Sequence, residues 1–278
     1  MTQTCYPTKS CATCAHGTGE GTIRFCRVKG GWAFDVSTTC DWHTDPGEDR
    51  LAHFAVTIEN DGLTFEIFPN ESFLIEDARK ELAKCPGSLN VVVDVGAHVG
   101  TVALQAAKHG AFVYAVEPAP INIDMLKRNI MRNDLQDRVT VVEKAVASES
   151  GLSLPLRDEP LCPGQKSLAF NVGKQIGCDV ETISLADLLA GITEKIDFLK
   201  MDIEGEEFVL SDGPPVPELS RVGFISISLH PPTNEDYFDG GDGRTQEEYY
   251  AATVGWLKRS GVANARIDNH MAIGGITQ

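Results

Sequence analysis

The sequence predicts an α/β protein: a doubly wound, mainly parallel sheet with a terminal antiparallel hairpin, plus a small cysteine-rich module at its start. Three observations carry this. Val91-Val92-Val93-Asp94-Val95 is a β-branched run around one aspartate, the pattern of a strand buried on both faces, and it feeds straight into Gly96-Ala97-His98-Val99-Gly100. From there, strand-length apolar runs alternate with helix-length segments, the signature of βαβ units. Finally, five of the eight cysteines fall within the first forty residues.

Residues 1–50 contain only Ile23, Phe25, Val28, Phe34 and Val36 from the Leu, Ile, Val and Phe group, too little for a core without a metal or cross-link. Cys11 and Cys14 form a C-x2-C bite, and Cys26 and Cys40 complete a set of four thiolates. This spacing, with Asp41-Trp42 after the last cysteine, resembles small HiPIP-like iron–sulfur modules. The resemblance implies a 4Fe–4S cluster. Zinc is the alternative metal, and a metal-free tail the bland one. Such a module also offers a place for a protein partner.

Residues 51–87 follow as a unit of their own. Phe54 to Glu59 and Leu63 to Phe68 flank Asn60-Asp61-Gly62, a hairpin signal. Phe73 to Lys84 reads as a helix stopped by Cys85-Pro86-Gly87. The expectation is a lid or edge against the main domain, 88–278.

In that domain the expected order is strand Val91–Val95, helix Thr101–Lys108, strand Phe112–Glu117, helix Ile121–Asn133 and strand Val139–Val146. A hairpin arm at Gly151–Leu156 and a Ser184-capped helix at Leu185–Leu189 come next. Strands Ile196–Ile203 and Val222–Leu229, helix Gln246–Ser260, and a hairpin from Ala265–Asp268 and Met271–Gly274 complete it.

Ligands of such sheets bind beyond the carboxyl ends of the strands, near the point where strand order reverses. That selects Asp94, Gly96, Glu117, Asp202, Glu204 and His230. A dinucleotide fingerprint would have glycine where Asp94 stands; a carboxylate repels a diphosphate and suits a ligand with cationic or hydroxyl groups. The pattern D-x-G-x-x-x-G resembles that of S-adenosylmethionine (SAM) methyltransferases. Gly96, Ala97 and Gly100 would let the backbone approach the methionine part. Glu117, 23 residues after Asp94, is placed to accept both ribose hydroxyls, with helix capping as its plainer role. Glu143 and Ala145, after the third strand, are placed beside the adenine by topology.

Val93-Asp94-Val-Gly-Ala-His-Val-Gly100, Val116-Glu117-Pro118 and Phe198-Leu-Lys200-Met-Asp202-Ile-Glu204-Gly205-Glu-Glu207 together resemble the FkbM family of SAM-dependent methyltransferases. The resemblance implies a class I, Rossmann-like fold and methyl transfer to a hydroxyl of a sugar or small natural product. A hydroxyl acceptor needs its proton removed, and His230 is the first candidate base, with Asp202 as base or orienter. Asp202, Glu204 and His230 form an alternative set of divalent-metal ligands. In the family an acid often stands two residues before that histidine; Ser228 stands there in this chain, which weakens a carboxylate–histidine pair at that position. Lys200 reads as a strand residue paired to Glu204 or Glu207. The acidic loop 231–244 is a candidate substrate cap.

A net charge of −16 disfavours nucleic acid as a partner, and no apolar stretch reaches the length of a membrane span. The first residues lack the features of a signal peptide, so the expected location is the cytoplasm. Two other functions compete with methyl transfer. One is a non-catalytic metal or iron–sulfur redox adaptor whose α/β domain only binds SAM or another nucleoside. The other is an NAD-linked oxidoreductase, which Asp94 disfavours.

Overall fold

A computed structural model describes residues 55–69, 71–159, 162–167, 179–230 and 243–275, together with three short strands near the start. Those three, β1 (Gly17–Thr18), β2 (Ile23–Cys26) and β3 (Gly31–Phe34), form an antiparallel sheet. The expected thiolates Cys11, Cys14 and Cys40 lie outside the described residues, as does the Cys26 side chain.

Strands β4 (Val56–Asn60) and β5 (Leu63–Ile67) form the expected hairpin, with Asp61 and Gly62 both at positive φ in its two-residue turn. Helix α1 (Phe73–Ala83) follows. Then come β6 (Val91–Val95), α2 (Thr101–Lys108), β7 (Phe112–Val116), α3 (Pro120–Arg132) and β8 (Val139–Val142). Past β8 lie β9 (Ala145–Ala147), β10 (Ser153–Pro155), β11 (Arg157–Glu159), β12 (Cys162–Ser167) and β13 (Asp179–Ser184). The chain then runs through α4 (Leu185–Ala190), β14 (Phe198–Met201), α5 (Glu206–Asp212), β15 (Phe224–Ser228), α6 (Gln246–Arg259), β16 (Arg266–Asp268) and β17 (Met271–Gly275).

The main sheet has seven strands in the order β16-β17-β15-β14-β6-β7-β8. Strands β8, β7, β6, β14 and β15 are parallel, and β17 is antiparallel to both β15 and β16. The doubly wound sheet with its closing antiparallel hairpin is therefore as expected. Its order reverses between β6 and β14, so the crevice at the switch point opens between the ends of those two strands. Apolar residues bury both faces: Val93, Leu199, Ile225 and Trp256 on one, Val92, Val113, Phe198 and Leu104 on the other.

Strand β5 and helix α1 share the main core. Phe65, Ile67, Phe68 and Ile75 are buried with Val92, Val99, Leu104 and Met125. Helix α3 fastens β5 with two side-chain amides acting as strand partners. Asn133 Oδ1 accepts from Thr64 N (2.7 Å) and its Nδ2 donates to Thr64 O (2.7 Å). Asn129 Oδ1 accepts from Glu66 N (2.6 Å), while its Nδ2 donates to Glu66 O (2.8 Å) and Val99 O (2.9 Å). The Glu66 carboxylate in turn pairs with Arg128 and Arg132. Fully buried, Asn129 thus ties the hairpin to the turn after β6.

Several elements differ from expectation. The single strand expected over Val139–Val146 divides at Glu143-Lys144, where Lys144 N turns back to Val142 O (2.9 Å). Its second half, β9, leaves the main sheet to pair in parallel with β13, a strand not expected from the sequence. The strand expected over Ile196–Ile203 is shorter, Phe198–Met201, and α5 was not expected at all. By contrast the Ser184 cap is formed, its Oγ accepting from Asp187 N (3.1 Å). Among the described residues, no helix is long and apolar enough to cross a membrane.

Candidate active site at the switch point

The turn after β6 needs its glycines for a reason beyond ligand approach. Gly96 has φ +78°, and a Cβ there would lie 1.8 Å from Asp202 O. Gly100, at φ +93°, would put a Cβ within 2.6 Å of Leu126 and Leu104 side-chain atoms. The turn is pressed against the end of β14 and against α2 and α3. Gly96→Ala is therefore expected to cost at least ~2 kcal/mol, from the left-handed backbone plus a backbone clash, measurable by urea unfolding. A change below about 0.5 kcal/mol would mean the two strand ends are not held this closely.

Asp94 is buried at the end of β6, 1% exposed, and among the described residues neither carboxylate oxygen accepts a hydrogen bond of normal geometry. Burial pushes its pKa up to about 6 against the opposing field of Lys200, whose Nζ lies 3.7 Å from Oδ1. Lys200 is thus the cation that faces this buried carboxylate. Ala97 is buried in the same turn. His98, at φ +54°, donates its backbone N–H to Glu117 Oε2 (2.8 Å), and its ring lies 3.5 Å from Glu71 of the edge segment. Glu117 Oε1 accepts from Ala119 N (2.9 Å) and Asn122 Nδ2 (3.1 Å). Glu117 therefore does organise the start of α3, and the same contacts fix its carboxylate at the mouth of the crevice.

On the other side of the switch point, the end of β14 brings up the charged groups of Lys200 to Glu207. Lys200 pairs with Asp94 and Asp202 (3.4 Å to Oδ2) rather than with Glu204 or Glu207. The turn needs positive φ at Glu204 (+54°) and Gly205 (+103°), which starts α5 at once. Glu207, in the first turn of α5 and 1% exposed, has Oε2 bound by Gly205 N (2.5 Å) and Oε1 2.5 Å from His230 Nδ1. His230 thus has a carboxylate partner although Ser228 supplies none two residues before it. Its partner comes from α5, 23 residues earlier in the chain, instead of from its own strand.

His230 Nε2 faces Asp202 Oδ1 (3.6 Å) and Glu204 Oε2 (3.8 Å). Burial works against a charged imidazole, but the Glu207 hydrogen bond and the fields of Glu207, Asp202 and Glu204 outweigh it and push His230 up to about 10. Burial pushes Asp202 up, yet Lys200 and His230 outweigh it and hold it below the usual carboxylate range. Burial raises Glu204 to about 7 despite His230, and burial with the Glu207 field does the same to Glu206. Asp202, Glu204 and His230 also offer ligand atoms within 4.8 Å of one another, a spacing a divalent cation could bridge. That ion would have to displace the proton now on His230.

The structure therefore assembles Asp94, Gly96, Ala97, Gly100 and Glu117 around one side of the crevice and Asp202, Glu204 and His230 around the other. Glu143 and Ala145 stand differently. Glu143 is half exposed and paired with Lys127 Nζ (2.5 Å), and Ala145 is buried against Ala119, Leu156 and Val180. Sequence reasoning missed Glu207 as the histidine's partner and the His98–Glu71 pair. A signal for the first existed: Gly205 followed by two acids marks a helix start, which would have aimed Glu207 back at the strand end.

The family profile for the FkbM methyltransferase domain matches residues 94–247. A curated relative, methyltransferase sdnD of Sordaria araneosa, is 28% identical over 198 residues, covering 59% of this chain and 73% of that protein. Solved structures give fainter likenesses. One is the Pyrococcus abyssi tRNA (uracil-54, C5)-methyltransferase in complex with S-adenosyl-L-homocysteine, at TM-score 0.41 and 15% identity over 80% of this chain and 43% of that one. Another is the Geobacter metallireducens precorrin-6y C5,15-methyltransferase, at TM-score 0.41 and 14% identity over 73% of this chain and 88% of that one. The match spans more than half of the residues and begins at Asp94 itself, and the chain belongs to the FkbM methyltransferase family.

Proposed function

We propose that the chain transfers the methyl group of SAM to a hydroxyl of a sugar or small natural product, with His230 as the general base. The observation that carries this reading is the pairing of His230 with buried Glu207 at one lip of a crevice whose other lip is the Asp94 turn. SAM fits the donor side chemically: buried Asp94, which shares Lys200 with Asp202, suits a cationic methionine moiety, and fixed Glu117 suits the ribose diol. SAM when bound supplies an activated methyl on a sulfonium; the protein's part is placement and proton removal. Holding acceptor and methyl in line is worth up to ~7–11 kcal/mol in favourable systems. Glu207 fixes the tautomer, leaving Nε2 as the atom that takes the hydroxyl proton, and Asp202 orients the acceptor beside it.

The test is calorimetry with SAM and NAD, followed by labelled-methyl transfer over a panel of sugars and small hydroxylated metabolites. SAM binding and O-methylated product are the expected results. NAD binding without SAM binding would overturn the reading. A second reading, that Asp202, Glu204 and His230 bind a divalent ion which acidifies the hydroxyl, rests on their convergence. The same transfer assay after exhaustive chelation separates the two: loss of turnover restored by Mg²⁺ supports the ion, and undiminished turnover removes it.

A further inference from the structure

Lys200 stands at the middle of the switch point, paired in register with Asp94 of β6 on one side and with Ser226 of β15 on the other. Its side chain is 12% exposed. Nζ lies 3.7 Å from Asp94 Oδ1, 3.4 Å from Asp202 Oδ2 and 3.5 Å from Gly96 O. The fields of Glu81 of α1 and of Glu204 also reach it. Its Nζ thus reaches both the turn after β6 and the end of β14.

We infer that Lys200 is a positioning residue that couples the cofactor half of the site to the acceptor half, by dividing one buried positive charge between Asp94 and Asp202. This rests on the assignment of SAM to the Asp94 turn. Nζ stands within 4 Å of both carboxylates, so a move toward one is a retreat from the other. Asp94 must be ionised to hold a cationic methionine moiety. Asp202 must keep one oxygen on Lys200 for the other to stay on His230 Nε2, as observed. Any change at Asp202 therefore shifts Lys200 toward Asp94 and weakens the hold on a cationic cofactor, although Asp202 itself lies on the acceptor side. Coupling of this kind is reciprocal, so SAM bound at Asp94 drives Lys200 toward Asp202 and sets its rotamer for the acceptor.

A double-mutant cycle with SAM binding as readout tests this, and needs no knowledge of the acceptor. Asp202→Asn is expected to weaken SAM binding by about three- to tenfold in the wild-type background and by less than about twofold in Lys200→Met, measured by calorimetry. Lys200→Met alone is expected to weaken SAM binding about tenfold or more, because it removes the one charge that contacts Asp94, Asp202 and Gly96 O together. If Lys200→Met fails to fold, as removing the cation beside buried Asp94 could cause, Lys200→Gln, which keeps a polar head, runs the same cycle. Equal effects of Asp202→Asn in both backgrounds would reduce Lys200 to a strand residue and overturn the inference. Failure of the wild-type protein to bind SAM at all would instead overturn the functional reading beneath it.

Discussion

His230→Ala is expected to lower kcat by ~10²–10⁴ while leaving SAM affinity within about threefold of wild type, since a base acts on the acceptor and not on the donor. The size of the loss follows from how basic the imidazole has been made. Glu207 on Nδ1, with Asp202 and Glu204 facing Nε2, stabilises the protonated ring and pushes its pKa up to about 10. An imidazole of such proton affinity takes a hydroxyl proton more readily than a free histidine does. The cost is that most molecules carry the proton already at neutral pH. Turnover should therefore rise with pH, by about tenfold per unit while the protonated form dominates, until the histidine of the SAM-bound enzyme is titrated. The cationic cofactor beside the cluster pulls that point below the value for the free enzyme. In His230→Ala the alkaline rise should vanish along with most of the activity. Near-wild-type turnover in this variant, or a rise with pH unchanged by it, would transfer the base role to Asp202.

Local patterns made much of this site legible before the fold was known. The β-branched run Val91–Val95 named its own strand, and Thr101–Lys108 its own helix. Both signals are short-range, and the elements formed with the expected boundaries. What stayed hidden depended on contacts between distant residues. Nothing near His230 in sequence announces Glu207, because the pair closes only when α5 swings back over the end of β14. Ser228 does leave the acid missing from the histidine's own strand, and its substitute was hidden for the same reason: strand neighbours two apart are one way to face a histidine, and a helix first turn is another. Likewise Val139 to Val146 is apolar enough for one strand, and only the pairing of β9 with β13 shows that it serves two sheets. Gly96 was read for the space it leaves a cofactor, whereas the nearest obstacle to a side chain is the Asp202 carbonyl.

Glu207→Gln should cost roughly 2–4 kcal/mol of stability at pH 7, the range for removing one partner of a buried pair, discounted because the His230 side chain is 30% exposed. The sign with pH is the sharper part. His230 has its folded pKa raised to about 10 from an ordinary 6.5, so its contribution is fully present below pH 6.5 and is lost as pH rises through about 10. Wild type should accordingly lose stability between pH 7 and 10 in urea unfolding with divalent ions removed. Glu207→Gln, whose amide can still accept a hydrogen bond but carries no charge, should show a flatter profile, so the difference between the two proteins narrows toward pH 10. The same substitution should shift the alkaline rise in turnover to lower pH, because the imidazole loses its strongest partner and deprotonates earlier. Stability and turnover would then move together from one buried carboxylate. A Glu207→Gln protein with wild-type profiles in both measurements would show that the 2.5 Å contact does not set the charge of His230.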